Sequence, residues 1–266
     1  MRKFIFGTIH ADYLTMDKAI NIIIALAQEK SGGFIVTPNV DHIVLSEKNE
    51  ALRYAYADAT LSLADGKPLL WMSWLAGFPL PEKISGSDLV RPLLEQSSRK
   101  GLKIYFLGAA PGVGASAVQI LLKEMPNLKV VGIDSPPIGF DKDAEIEEKI
   151  MEKMLAAEPD IVFLALGAPK QEIVMHRWYK KGVKQVMLGV GASLDFISGK
   201  IKRSPKWMSN MGLEWLYRIS QDPKRLVKRY LIQDMAIIKI FLNIMRKPRE
   251  QRILYSEDNA STLDLK

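Results

Sequence analysis

Short apolar runs alternate with longer stretches of helical period over most of the chain. Runs at 33–37 (GFIVT), 60–64 (TLSLA), 103–108 (KIYFLG), 128–133 (LKVVGI), 160–166 (DIVFLAL) and 184–190 (KQVMLGV) predict strands. Each is an apolar, β-branched or aromatic run bounded by turn formers, as strands buried on both faces are. Between and before them the spacing predicts helices at Met16–Glu29, Val40–Tyr54, Lys67–Leu75, Ser87–Lys100, Val113–Glu124, Asp143–Ala157 and Gln171–Lys180. The first is entered at Thr15 with Asp17 in its first turn, where a cap and a negative charge suit the helix dipole. Strands and helices in alternation give βα units around a largely parallel, doubly wound sheet. Ligands bind such sheets beyond the carboxyl ends of the strands, so chemistry is expected in the residues that follow each strand.

The last fifth of the chain breaks this pattern. Between Lys200 and Arg252 there are 14 Lys and Arg against 4 Asp and Glu, so the excess of 10 exceeds the net charge of +7 and the remainder carries −3. Trp207, Met208, Met211, Leu213, Trp215, Leu216 and Tyr217 lie among these cations, and Leu231, Met235, Ile238, Leu242 and Met245 recur at steps of four and three. Asp234 and Lys239 interrupt the stretch, which is too short and too charged to span a bilayer. It fits a helix lying in an anionic membrane surface; packing into a core, or an oligomer seam in solution, is the alternative. Nucleic acid is disfavoured because aliphatic residues, more than aromatic ones, separate the cations. After Lys247 a tail from 248 to 266 is expected to be disordered.

Composition removes other options. The absence of cysteine excludes disulfides, thiolate catalysis and cysteine-ligated zinc. No uninterrupted apolar run reaches the length of a membrane span, and His10 and Asp12 break the run after Met1-Arg2-Lys3 too early for a secretory leader. The body is therefore expected in the cytosol.

The strand-end segments carry the candidate chemistry. Asp65 precedes Gly66 after an apolar run, placed either as a general base or as the N-cap of the next helix. Thr37 and Asn39 flank Pro38, positioned to hydrogen-bond a nucleotide or sugar, with capping as the other use of Asn39. The glycine-rich segment from Gly108 to Gly114 opens a helix, where backbone amides can hold a phosphate or simply form a tight turn. Gln171 and Gly191 lie in two further strand-end loops. Lys83 and Asp88 bracket Ser85-Gly86-Ser87, so the lysine is either a diphosphate contact or a solvated surface charge. Asp141-Lys142-Asp143 has the spacing of a metal-binding Asp-x-Asp pair but starts an acidic helix, and capping suits it better. His10, His42 and His176 lack metal-ligand spacing.

Taken together, TPNVDHIV (37–44), LADGKPLLW (63–71), PLPEKISGSDLV (79–90), IYFLGAAPGV (104–113), PDIVFLALGAPKQE (159–172), GVGASLDFISGKIKRSP (189–205) and GLEWLYRISQDPKR (212–225) resemble the WecG/TagA/CpsF glycosyltransferase family. The resemblance implies inverting transfer from a UDP-sugar to a sugar on an undecaprenyl diphosphate carrier, peripherally at the cytoplasmic membrane face, with no metal or other cofactor. It implies a role in bacterial surface polysaccharide, capsule or teichoic acid synthesis. The family's base falls on Asp65, its substrate-contacting positions on Thr37, Asn39 and Gln171, and its lipid-diphosphate arginines on Arg218 and Arg225, with Lys228 at a third position. Lys83 departs from the arginine of many relatives, which keeps the charge but loses the bidentate fork. The expected architecture is a Rossmann-like α/β catalytic domain over 1–196, a mostly parallel sheet flanked by helices, and a helical membrane-binding appendage over 197–247. Two other functions fit a chain of this kind, a nucleotide-sugar oxidoreductase or epimerase and a non-catalytic membrane scaffold. The first lacks both G-x-G-x-x-G and Y-x-x-x-K.

Overall fold

The computed structural model describes residues 1–221, 223–228 and 233–255, the side chains of Lys206, Asn210, Lys224 and Arg225 excepted. The chain opens with β1 (Arg2–Phe6) and β2 (Ile9–Asp12), an antiparallel hairpin turning at Gly7 with φ +66°. Then come α1 (Met16–Glu29), β3 (Gly33–Val36), α2 (Val40–Ser46), α3 (Glu50–Asp58), β4 (Leu61–Ser62), α4 (Lys67–Leu75) and α5 (Gly86–Lys100). These are followed by β5 (Lys103–Gly108), α6 (Val113–Glu124), β6 (Lys129–Asp134), α7 (Ala144–Ala156), β7 (Ile161–Ala165), α8 (Lys170–Lys180) and β8 (Val186–Gly189). The chain continues through α9 (Ser193–Ile197), α10 (Lys206–Asn210), α11 (Glu214–Gln221), α12 (Pro223–Lys228), α13 (Ala236–Arg246) and β9 (Ile253–Tyr255).

The predicted α/β class is the observed one. Six parallel strands run in the order β4-β3-β8-β7-β5-β6. Because side chains alternate across a strand, the sheet feeds two cores. Ile161 and Phe163 pack on one face with Ile104, Phe106 and residues of α1, α5 and α6. Val162 and Leu164 pack on the other with Phe34, Tyr105 and residues of α3 and α8. Among the described residues no helix is long and apolar enough to cross a membrane.

Three features depart from the sequence reading. The helix expected over 40–54 is two helices, because Asn49 starts a second one by accepting a hydrogen bond from Leu52 N. Thr15 occupies the N-cap of α1 without a side-chain bond, and Glu82 Oε2 instead accepts from Met16 N at 2.8 Å. The N-terminal residues, expected only to lack a leader's pattern, form a small sheet of order β2-β1-β9.

That small sheet changes the meaning of the C-terminus. Expected to be disordered from 248, the chain is ordered through a 3₁₀ turn at Arg249–Arg252 and through β9, which pairs with β1. Helix α13 also faces two ways. Ile240 and Ile244 join the core cluster that contains Phe4 and Phe6, with Met245 packed against them, while Met235, Ile238 and Leu242 are each about half exposed. Core packing and a free apolar face are thus both present on one helix; Leu231 lies outside the described residues.

Candidate functional site

The C-terminal ends of β3 and β4 deliver their loops to one edge of the sheet, and α11 with the start of α13 closes over them. Between these elements lies a cavity of about 380 Å³ lined by Asn39, Asp41, Asp65, Lys67, Lys83, Glu214, Trp215, Arg218 and Met235, among others.

Asp65 lies in the loop that follows β4, its backbone N–H bonded to Pro38 O at 2.8 Å. It is not a helix cap: Gly66 occupies the N-cap of α4, with φ +104° and no side-chain bond, which leaves the Asp65 carboxylate to the cavity. Burial pushes its pKa from 3.8 up to about 7, and the negative charge of Glu214 adds to the rise, while Arg218 and Lys83 oppose it. A carboxylate held near neutrality inside a cleft, flanked by two cations, has the properties of a general base.

The cations are themselves tethered. Lys83 Nζ lies 2.6 Å from Asp88, which also pairs with Arg203. Arg218 donates to Glu214 Oε1 at 2.5 Å, one helical turn earlier on α11, and its guanidinium lies 5.6 Å from the centre of the Phe196 ring. These pairs hold both positive groups at the cavity wall.

The other predicted residues distribute along the sheet edge. Asn39 caps α2, its Oδ1 accepting from His42 N at 3.2 Å, and it also lines the cavity. Thr37 is buried at the end of β3, close to Gly86. Gln171 is 3% exposed; its Nε2 donates to Glu172 Oε1 at 2.8 Å and its Oε1 accepts from Gly191 N at 3.0 Å. That amide ties the loop after β7 to the loop after β8, beside the cavity rather than on its wall. Gly108, at φ +111°, is the last residue of β5, farther along the sheet, and a Cβ there would come within 2.5 Å of Ala165 O. Its glycine is required by this close approach, and Gly108 is not on the cavity wall with Asp65. Lys228 is exposed on α12 and also away from the wall; the Arg225 side chain is outside the described residues.

Asp143 caps α7 by accepting from the backbone N–H groups of Glu145 and Ile146, whereas Asp141 pairs with Lys170 of α8 at 3.2 Å. His42 is buried against Tyr56 (2.6 Å) and His176 bonds Asp58 (2.8 Å), both structural positions. Sequence reasoning missed Asp41 and Glu214 as wall residues. Asp41 lies two residues past the last strand-end residue considered, and Glu214 was hidden because its signal is an i,i+4 pair with Arg218 rather than a strand end.

A family model described as glycosyl transferase WecG/TagA/CpsF family matches residues 5–251. An N-acetylglucosaminyldiphosphoundecaprenol N-acetyl-beta-D-mannosaminyltransferase of Bacillus spizizenii strain W23 is 32% identical over 197 residues, covering 74% of each chain. A protein of the same name from Bacillus subtilis strain 168 is 31% identical over 227 residues, covering 85% of this chain and 84% of its own.

Proposed function

Because the chain belongs to the glycosyl transferase WecG/TagA/CpsF family, we propose that it moves an N-acetylhexosaminyl group from a UDP-sugar to a sugar on polyprenyl diphosphate, with Asp65 as general base. The observation that carries this reading is the placement of Asp65, with its pKa near 7, between Lys83 and Arg218 in one cavity. In the proposed step the acceptor hydroxyl oxygen bonds to the anomeric carbon while the bond from that carbon to the UDP oxygen breaks. The hydroxyl proton passes to Asp65, and UDP leaves with the electron pair. A single displacement of this kind inverts the anomeric centre.

Two diphosphates must be accommodated, one on the leaving nucleotide and one on the acceptor lipid. Lys83 and Arg218 supply positive charge at the cavity wall, whose attraction strengthens as negative charge develops on the leaving group. Arg218 sits on the segment rich in cations and is the better placed of the two for the acceptor's diphosphate, with Arg225 and Lys228 following it on α12. Asn39 and Thr37 are assigned to the sugar or nucleotide. Gln171 acts by holding the Gly191 loop, and Gly108 offers backbone to the same sheet edge.

We further propose that the protein works peripherally on the inner membrane surface, since its acceptor is a lipid. The half-exposed Met235, Ile238 and Leu242, together with exposed Lys228, Arg246, Lys247 and Arg249, support that placement. The test is a panel of UDP-sugars, UDP-N-acetylmannosamine included, assayed for UDP release with polyprenyl-diphosphate-linked N-acetylglucosamine. Acceptor-dependent release with one donor is the expected result; no release with any pair would remove the proposal.

A further inference from the structure

Helix α4 joins the catalytic body to the cavity, yet its sequence, KPLLWMSWL, is apolar on both sides. Leu69 and Met72 face the core, while Trp71, Trp74 and Leu75, spaced as one helical face, are 50%, 66% and 56% exposed. A helix that is apolar all round belongs in an apolar environment on both sides, and exposed tryptophans on a folded surface mark contact with something else.

Three contacts locate this face. The N-terminal residues of α4, Lys67 and Pro68, line the cavity mouth. Midway, Trp71 lies under the turn between α10 and α11, where a Cβ on Gly212 would come within 2.7 Å of the indole ring; Met211, beside it, is 59% exposed. At the far end Arg249 packs against Gly77, and Arg252 Nη1 donates to Ala76 O at 3.1 Å. The exposed apolar face of α4 thus runs from the catalytic cavity to a turn carrying Arg249 and Arg252, with exposed Arg246 and Lys247 next to it.

We propose that Trp71, Trp74 and Leu75 of α4 insert into the headgroup boundary of an anionic phospholipid bilayer, making the catalytic body itself part of the membrane-docking surface. Charge complementarity selects this occupant: indole rings favour the headgroup level, and the neighbouring arginines and lysine match anionic lipid. The arrangement also sets the cavity mouth at the bilayer surface, where a lipid-linked diphosphate would enter beside Lys67 and Met235. This inference deepens the membrane reading above and rests on it.

The test uses the full chain with Trp74→Ser and Leu75→Ser together, in co-sedimentation with phosphatidylcholine vesicles with and without phosphatidylglycerol. Wild type should bind the anionic vesicles and the double variant about tenfold or more weakly, as expected for losing two inserted side chains. A Trp74→Phe variant, which keeps the fold and an apolar ring, should lose part of the fluorescence that brominated phospholipid quenches in wild type. Equal vesicle binding by wild type and double variant overturns the inference. So does unchanged vesicle binding with a dimer that becomes a monomer in sedimentation, because the face would then be covered by a second copy. If wild type binds no vesicles, the membrane reading falls and takes this inference with it. If vesicle binding behaves as expected but no UDP is released, the docking surface stands and the transferase substrates are wrong.

Discussion

Replacing Asp65 by Asn should make the protein more stable at alkaline pH. The folded protein holds Asp65 at about 7 against an ordinary 3.8. Its folded pKa is raised, so the folded state binds the proton more tightly than the unfolded chain. Stability from this group is therefore full below about pH 4 and is lost progressively as pH rises toward 7. A rise of about three units corresponds to an upper limit of about 4 kcal/mol, at about 1.4 kcal/mol per unit. Asp65 is only partly shielded from solvent, which relaxes part of that cost, so about 1–3 kcal/mol is the expected gain for Asp65→Asn. The assay is urea unfolding of both proteins at about pH 5 and about pH 8.5. The variant's advantage should be about a third of its full size at the lower pH and essentially complete at the higher. A variant equal to or less stable than wild type at about pH 8.5 would refute the reasoning that burial destabilises this carboxylate.

Charge changes around Asp65 should move the acid limb of the pH–kcat/KM profile in opposite directions. Glu214→Gln removes a negative charge and shifts the limb to lower pH; Lys83→Met removes a positive one and shifts it higher, and coincident profiles would separate these residues from the base. Glu172, fully buried and raised to about 7 chiefly by its burial, also loses stability as pH rises from about 4.5 through 7. Glu172→Gln should therefore flatten that decline in the same urea assay, and an unchanged slope would count against it. Gly108→Ala places a Cβ against Ala165 O at a positive φ and should cost about 1–3 kcal/mol of unfolding free energy, an unaltered midpoint being the contrary result. Transfer is proposed to need no metal, so excess EDTA should leave the initial rate within about twofold, whereas loss on chelation and recovery with a divalent cation would restore a metal to the mechanism.

The periodicity carried the sheet and most helices because strands buried on both faces read as uninterrupted apolar runs. Helices α1, α4 and α6 were legible at their observed limits, and Asp65 was legible because it follows such a run directly. The small antiparallel sheet was not, since β9 pairs with β1 across nearly the whole chain and no local pattern announces so distant a partner. The break between α2 and α3 turned on one capping asparagine inside a helical pattern. In the site, strand-end logic found Asp65 and Asn39 but assigned Gln171 and Gly108 without their neighbours. Only three-dimensional packing reveals that the Gln171 amide is spent on Glu172 and Gly191, and that Gly108 is shaped by Ala165. The basic C-terminal segment was legible by charge, while its division into core-facing and exposed sides on α13 needed the fold.

The most direct test of the account compares wild type with Asp65→Asn for transfer from the UDP-sugar identified in the panel to polyprenyl-diphosphate-linked N-acetylglucosamine. Product would be followed by mass spectrometry on protein shown to be folded by its cooperative urea transition. A base at this position predicts that kcat falls by about 10²–10⁴-fold while the fold is retained. Near-full transfer by the folded variant would contradict the assignment of Asp65 as the base.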